Sequence, residues 1–219
     1  MLLLGLLLGM RHALEADHLA AVASLSTGGG SRASIVLRGA TWGFGHTVAL
    51  LAAGVSSIAL GLAVPAGPWL ERGVGVMLAL LGTNVLVRLR RDRVHVHTHR
   101  HAGGIVHLHV HRHGGDDVDS TDHRHAHRLD LRAMGVGMVH GLAGSAALLL
   151  VIASGLTSPW LGLAYVAVFG VGSIAGMTAL SAVIALPLDA SARRLARAYT
   201  SVELLIAVGT IALGLAMLR

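Results

Sequence analysis

The sequence has 219 residues, of which 54% are hydrophobic and only 13% are charged, and its formal net charge at pH 7 is +6. This composition excludes an ordinary soluble domain and is typical of a helical protein that crosses a membrane several times. The chain contains no cysteine, so disulfide bonds and thiolate metal sites are excluded as well.

Six apolar stretches are each long enough to cross about 30 Å of hydrocarbon as a helix. They run over residues 1–24, 35–64, 69–87, 131–155, 160–188 and 195–218, and the four prolines lie near their ends, where a proline disturbs a helix least. The sequence therefore predicts an all-α polytopic membrane protein with six transmembrane helices. The leucine-rich first stretch lacks the basic start of a signal peptide and carries charges, so we expect it to remain in the protein.

Residues 11–18, Arg-His-Ala-Leu-Glu-Ala-Asp-His, set five ionisable side chains inside the first apolar stretch. Each such group costs about 2.5–3.5 kcal/mol to insert into a membrane, so a cluster of them requires a site lined by protein. Imidazoles and carboxylates are also the nitrogen and oxygen ligands of divalent transition metals. The segment therefore predicts an intramembrane metal site.

Two ligand sets are compatible with this segment. On a regular helix His12, Glu15 and His18 share one side, whereas Asp17 points away from it. The set of His12, Asp17 and His18 needs an unwound turn, as in the discontinuous helices of transporters. Arg11 and Glu15 have the alternative of pairing with each other, since charges inside a membrane usually pair.

Two further histidines lie in apolar stretches. His46 is part of Gly-Phe-Gly-His-Thr at residues 43–47, and its flanking glycines permit close contact between helices. His140 is a candidate ligand too, although it also suits a hydrogen bond between helices. If these imidazoles converge with a carboxylate, the resulting site suits nickel, cobalt or zinc.

The segment between the third and fourth stretches is rich in histidine, with 11 of the 15 histidines of the chain. They alternate with other residues in three runs: His95, His97, His99 and His101; His107, His109, His111 and His113; His123, His125 and His127. Alternation places each run on one face of an extended strand, and residues 102–104 between the first two runs predict a hairpin turn. Such a hairpin would bind several metal ions. The alternative is a disordered loop that binds metal through composition alone.

The two halves of the chain share motifs at a shift of 127 or 128 residues. Residues 9–14 match 137–142, residues 43–47 match 170–174, and residues 82–83 match 209–210. Because each half holds three stretches, the second half would be inverted in the membrane, an arrangement of secondary transporters whose site lies between the halves. The predicted domains are a first three-helix repeat over 1–90, a histidine-rich loop over 91–130 and a second three-helix repeat over 131–219.

The distribution of arginine predicts the orientation. The chain has no lysine, and nearly all of its arginines follow the first, third and fifth stretches. Positively charged loops remain in the cytoplasm. We therefore expect a protein of the inner cell membrane with both termini outside and the histidine-rich loop in the cytoplasm.

The motifs carry a family resemblance. Residues 11–18 resemble the signature of the nickel–cobalt transporter family, His-x4-Asp-His within Arg-His-Ala-x-Asp-Ala-Asp-His, with Glu15 in place of the first aspartate. Residues 44–47 are similar to the family's Gly-His-Ser/Thr motif, and residues 175–177 to the start of a later Gly-Met motif. The metal-site residues that the resemblance implies are His12, Asp17, His18 and His46. Six stretches instead of eight make the chain more similar to the shorter urease-accessory permeases and metal exporters.

The expected function is secondary transport of nickel or cobalt, with the metal ion as substrate and no prosthetic group. No Gly-x4-Gly-Lys-Ser/Thr or His-Glu-x-x-His sequence occurs, so neither ATP hydrolysis nor metalloprotease activity is expected, and we do not expect the protein to be an enzyme. The alternatives are nickel or cobalt efflux instead of uptake, and an accessory protein that stores and delivers metal. The expected partners are the lipid bilayer and nickel-enzyme maturation proteins, and no nucleic acid.

Overall fold

The computed structural model describes residues 2–27, 31–60, 67–91, 94–100, 106–112, 130–142, 158–194 and 196–219. Within these ranges the chain forms seven α-helices and one β-hairpin. The helices are α1 Leu2–His12, α2 Ala16–Ser26, α3 Arg32–Leu60, α4 Pro68–Arg91, α5 Leu131–Gly141, α6 Pro159–Arg194 and α7 Ala196–Ala216, and the strands are β1 Val94–Arg100 and β2 Val106–Arg112.

The helices form a membrane protein. Among the described residues, three segments are long and apolar enough to cross a bilayer, namely Pro68–Arg91, Pro159–Leu186 in α6 and Tyr199–Ala216 in α7. Large apolar side chains cover the outside of several helices, and Leu205, for example, is 73% exposed. Such a surface is stable against lipid hydrocarbon and unstable against water.

The first predicted span is two helices and not one. α1 ends at His12 and α2 begins at Ala16, and the amides of Leu14 and Glu15 bond back to the carbonyls of Arg11 and His12 in an intervening turn. This turn satisfies backbone groups that the end of α1 leaves free. The chain is therefore unwound between His12 and Ala16, as the set of His12, Asp17 and His18 requires, and the choice of ligands stays a prediction.

Two other predicted spans differ from the described structure. The fifth was expected to end near Pro187, but α6 continues to Arg194 and has 36 residues. One proline removes a single backbone hydrogen bond, and such a loss is tolerated in membrane helices where neighbouring groups compensate for it. The fourth predicted span is described only as α5 and Leu142, and the rest of residues 131–155 lies outside the described residues.

The helices pack in pairs around the centre of the protein. α3 lies along α6, α1 lies on α6, α5 lies on α3, and α4 lies along α7. Small residues at these crossings bring the backbones close together, which is how membrane helices gain van der Waals contact. α2 joins α7 through a hydrogen bond of 2.9 Å between Ser24 Oγ and Thr210 Oγ1.

The histidine-rich segment contains a two-stranded antiparallel hairpin, which agrees with the pairing predicted for its first two runs. The register pairs His95 with His111, His97 with His109 and His99 with His107. Directly paired residues of antiparallel strands belong to one face, so the six histidine positions share a face. The turn residues 102–104 and the other predicted loop ligands lie outside the described residues. These ligands are His101, His113, His123, His125 and His127.

Candidate metal centre

Four buried histidines converge where the first span is broken. His12 ends α1, His18 lies in the first turn of α2, His46 lies in the middle of α3 and His140 lies at the end of α5. None of the four is more than 6% exposed. The ring centroids of His12 and His18 are 4.1 Å apart, and those of His18 and His140 are 4.3 Å apart. The sequence-predicted histidines are thus brought to one place.

The first ligand set consists of His12, His18 and His46. One ring nitrogen from each can be chosen so that all lie within 4.8 Å of one another. The two Nε2 atoms of His12 and His46 are 3.4 Å apart. Ligand nitrogens about 2.0–2.1 Å from a tetrahedral metal are separated by about 3.4 Å, so little movement would be needed to place an ion between them.

The second set consists of Asp17, His18 and His140, and it shares His18 with the first. Asp17 Oδ1 is 2.8 Å from His18 Nδ1, and Asp17 Oδ2 is 3.0 Å from His140 Nε2. A carboxylate that holds the second nitrogen of an imidazole fixes the ring orientation and raises the basicity of the nitrogen that binds metal. Asp17 is therefore placed to orient both rings, or to become a ligand itself.

Several ring nitrogens in the cluster are buried without a partner. Among the described residues, His18 Nε2, His46 Nδ1 and His140 Nδ1 have no hydrogen-bond partner. A buried polar atom without a partner costs about 1–3 kcal/mol. Because Nδ1 of His18 is held by Asp17, the unpaired Nε2 is the nitrogen available to an incoming ion.

Glu15 and Arg11 lie at the edge of this cluster. The Glu15 side chain is 50% exposed, and its Oε1 is 3.0 Å from His12 Nδ1. This contact turns Nε2 of His12 toward His46. Arg11 is exposed, and in the described part of the chain no ion pair joins it to Glu15. The proposed Arg11–Glu15 pair is therefore not formed, and Glu15 contacts a ligand candidate instead.

Comparison with known proteins identifies a relative. No protein-family model and no solved structure matches the chain. Over 199 residues, however, it is 30% identical to the urease accessory protein UreH of Bacillus sp. (strain TB-90), with 89% of this chain and 80% of that protein covered. The chain belongs to the UreH family. This assignment supports the predicted resemblance at its coarser level, a nickel/cobalt transporter-like family, and the name of the relative describes an accessory protein and not a catalyst.

Two aromatic residues of this UreH-family chain complete the walls of the cluster, and the sequence analysis missed them. Trp42 is fully buried, and its ring centroid is 5.4 Å from those of both His18 and His140. Phe169 lies 5.3 Å from His12. Trp42 lies four residues before His46, and residues four apart share a helix face. This spacing could have predicted that Trp42 lies beside the histidines.

Glycines hold the helices of the UreH-family chain close together beside the histidines. A Cβ atom at Gly137 would meet the backbone of Trp42 and His46, and one at Gly9 would meet the backbone of Phe169 and Ser173. A larger residue at either position would push the helices apart. The position of His140 relative to His46 thus depends on the glycines of α5.

Proposed function

We propose that this protein is a secondary transporter that carries a divalent transition-metal ion, nickel in the first place and cobalt in the second, across the membrane. His12, His18 and His46 bind the ion during passage, together with Asp17. The observation that carries the proposal is the convergence of three buried histidines, two of which have an unpaired ring nitrogen in the described structure. Ionisable residues buried inside a membrane protein mark substrate and ion pathways.

The ligand chemistry supports this choice of ion. Imidazole and carboxylate ligands suit nickel, cobalt and zinc, whereas the softer ions that prefer thiolate find no cysteine here. Urease is a nickel enzyme, so a relative named as a urease accessory protein favours nickel. The same relation makes nickel-enzyme maturation proteins the natural recipients of the ion. An accessory protein that stores nickel is the competing function.

We further propose that residues 1–90 and 131–219 are inverted repeats. The helix contacts support this, because residues related by a shift of 127 or 128 make matching contacts. Gly9 lies against Phe169 and Ser173, and the corresponding Gly137 lies against Trp42 and His46. Likewise Gly45 lies against Met134, and the corresponding Gly172 lies against Leu6. α1 lies on α6 as α5 lies on α3, so the first helix of each half contacts the second helix of the other.

Alternating access follows from this arrangement. His12, Asp17, His18 and His46 belong to the first half, whereas His140 belongs to the second half. The hydrogen bond between His140 and Asp17 therefore joins the two halves at the site. Rocking of one half against the other would break and remake this contact, and the ion would be released when Asp17 and His18 turn away from their partners.

The proposed orientation places both termini outside and the histidine-rich hairpin in the cytoplasm. Six histidine positions share one face of that hairpin. A surface of this kind would collect ions that arrive by uptake or concentrate ions for efflux. It serves both directions of transport, so the direction has to be measured.

The test is radioactive nickel flux in vesicles of known orientation that contain the full chain. We expect inward flux that His12→Ala and His46→Ala reduce at least 10-fold, since removal of groups at a metal site costs about 10–100-fold in affinity or activity. His109→Ala in the hairpin is the matched control and should retain most of the flux. Outward flux with the same pattern would reverse the direction and keep the site. Wild-type vesicles without flux in either direction would contradict transport.

A further inference from the structure

His18 is the residue that the two ligand sets share. Its ring centroid lies 4.1 Å from that of His12 and 4.3 Å from that of His140. Its two ring nitrogens have different surroundings. Nδ1 is 2.8 Å from Asp17 Oδ1, whereas Nε2 is buried and has no hydrogen-bond partner among the described residues. One imidazole can therefore bind an ion through either nitrogen, depending on which one carries the proton.

The two sets differ in the helices that supply them. The first set, His12, His18 and His46, lies on α1, α2 and α3. The second set joins Asp17 and His18 of α2 to His140 of α5, which follows the histidine-rich segment. The first set therefore belongs entirely to the first half of the chain, whereas the second set takes ligands from both halves.

The second set has the composition and the spacing of a metal site. One carboxylate and two imidazoles form the three-ligand sets of zinc sites that keep a fourth position open. Asp17 Oδ1 and Oδ2 lie 2.8 Å and 3.0 Å from nitrogens of His18 and His140. Because the ligand atoms of a tetrahedral site are about 3.4 Å apart, a small outward movement of these atoms would admit an ion.

The backbone of α5 fixes the position of His140. A Cβ atom at Gly137 would meet the backbone of Trp42 and His46, and one at Gly141 would meet the backbone of His46. These glycines lie on either side of His140 in the sequence. Direct backbone contact with α3 therefore determines how far the His140 ring lies from the first set.

We propose that the transported ion occupies two overlapping positions in turn, one formed by the first set and the other by the second set. Because both positions use His18, they exclude each other, and the ion exchanges His12 and His46 for Asp17 and His140 without returning to water. In the second position His18 binds through Nδ1 and carries its proton on Nε2. The inference rests on the proposed transport function, to which it adds His140 as a ligand.

The test uses the purified full chain with glutamine in place of the 11 histidines of residues 95–127. The four histidines that remain are those of the buried cluster. Cobalt(II) is the probe, and X-ray absorption counts the imidazoles bound to it. We expect His140→Gln to bind cobalt through the three imidazoles of the first set, and His46→Ala to bind it through the carboxylate and two imidazoles of the second set. The same coordination in both variants would overturn the proposal.

Two overlapping positions also predict how the changes combine. His46→Ala and His140→Gln each leave one set intact, so we expect each to lower the cobalt affinity less than about 10-fold. The double variant has neither set and should lose at least about 100-fold. A combined loss no larger than the product of the two single losses would indicate one site and would contradict the proposal. Ser173→Ala is the control, because Ser173 is fully buried beside the cluster and belongs to neither set.

Nickel flux separates a ligand from a residue that only orients Asp17. Glutamine at position 140 can still donate a hydrogen bond to the carboxylate of Asp17. We expect His140→Gln to reduce nickel flux in vesicles at least about 10-fold, although it retains most of the cobalt binding. Unchanged flux in this variant would show that His140 only orients Asp17 and would overturn the second position. If wild-type vesicles show no flux while both coordinations are observed, transport is contradicted and the two ligand sets stand.

Discussion

Asp17 holds two imidazoles at once, one on each carboxylate oxygen. His18 and His140 lie 2.8 Å and 3.0 Å from these oxygens, and the two histidines come from different parts of the chain. A single carboxylate thus sets the orientation of both rings. Glu15 has a smaller role, because among the described residues its carboxylate pairs with His12 only and half of its side chain is exposed.

This difference predicts unequal effects of two isosteric changes. Asp17→Asn removes the charge and replaces one acceptor oxygen by a donor, so one of the two imidazoles loses its partner. We expect the apparent nickel affinity in the flux assay to fall about 10–100-fold. Glu15→Gln should change it only a few-fold, because solvent can replace the contact of an exposed carboxylate. A larger effect of Glu15→Gln than of Asp17→Asn would favour the ligand set of a straight helix.

The histidine ligands also predict a dependence on pH. An imidazole binds metal only when it is neutral, so protons compete with the ion. We expect nickel flux to increase as the pH is raised from about 5 to about 8, and bound nickel to be released as the pH is lowered. The profile should persist when the hairpin histidines are replaced by glutamine, since it belongs to the buried cluster. A flat profile over this range would argue against histidine ligands.

At the scale of the helices, the sequence indicated which ionisable residues lie close together better than it indicated where the helices end. Ionisable residues in an apolar stretch are costly, so a site lined by protein around His12, Asp17, His18 and His46, whose role as ligands stays a prediction, could be expected from the sequence. The break between His12 and Ala16 could not, because helical spacing allowed two ligand sets. The residues on either side of the break contact helices that are distant in the sequence: α1 packs on α6, His12 contacts His46 on α3, and Asp17 contacts His140 on α5. The extension of α6 beyond Pro187 was missed for the same reason, because the sequence near a helix end does not show its contacts with distant helices.

The close contact of α5 with α3 predicts that alanine substitutions at Gly137 and Gly135, two glycines of α5, have very different effects on stability. In Gly137→Ala the new Cβ would meet the backbone of Trp42 and His46, so the helices must separate. Overpacking of this kind costs about 1–3 kcal/mol, and we expect a lower midpoint of thermal unfolding and a loss of nickel flux. Gly135→Ala on the same helix meets open space and is the control. Equal stability of the two variants would contradict the described packing.

At the scale of the whole molecule, the buried cluster and the histidine-rich hairpin are formed by different parts of the chain: the cluster residues lie on helices, and the hairpin histidines lie on two strands. The cluster is built by four helices, and it combines a few candidate ligands with aromatic side chains. The hairpin offers six histidine positions on a single face. A transporter needs the buried cluster to move an ion, whereas a storage protein needs only the hairpin. The two functions can therefore be separated by removing one element at a time.

Deletion of residues 94–128 from the full chain is the decisive change. If the protein is a transporter, the vesicles should retain much of their flux at high nickel concentration, because the buried ligands are intact. Flux at low nickel concentration should fall, since ions are no longer collected near the membrane. Replacing the six hairpin histidines with glutamine keeps the length of the chain and serves as the matched variant. If both variants lose all nickel-dependent function while the cluster variants His12→Ala and His46→Ala retain it, the protein stores nickel and the buried histidines serve the fold.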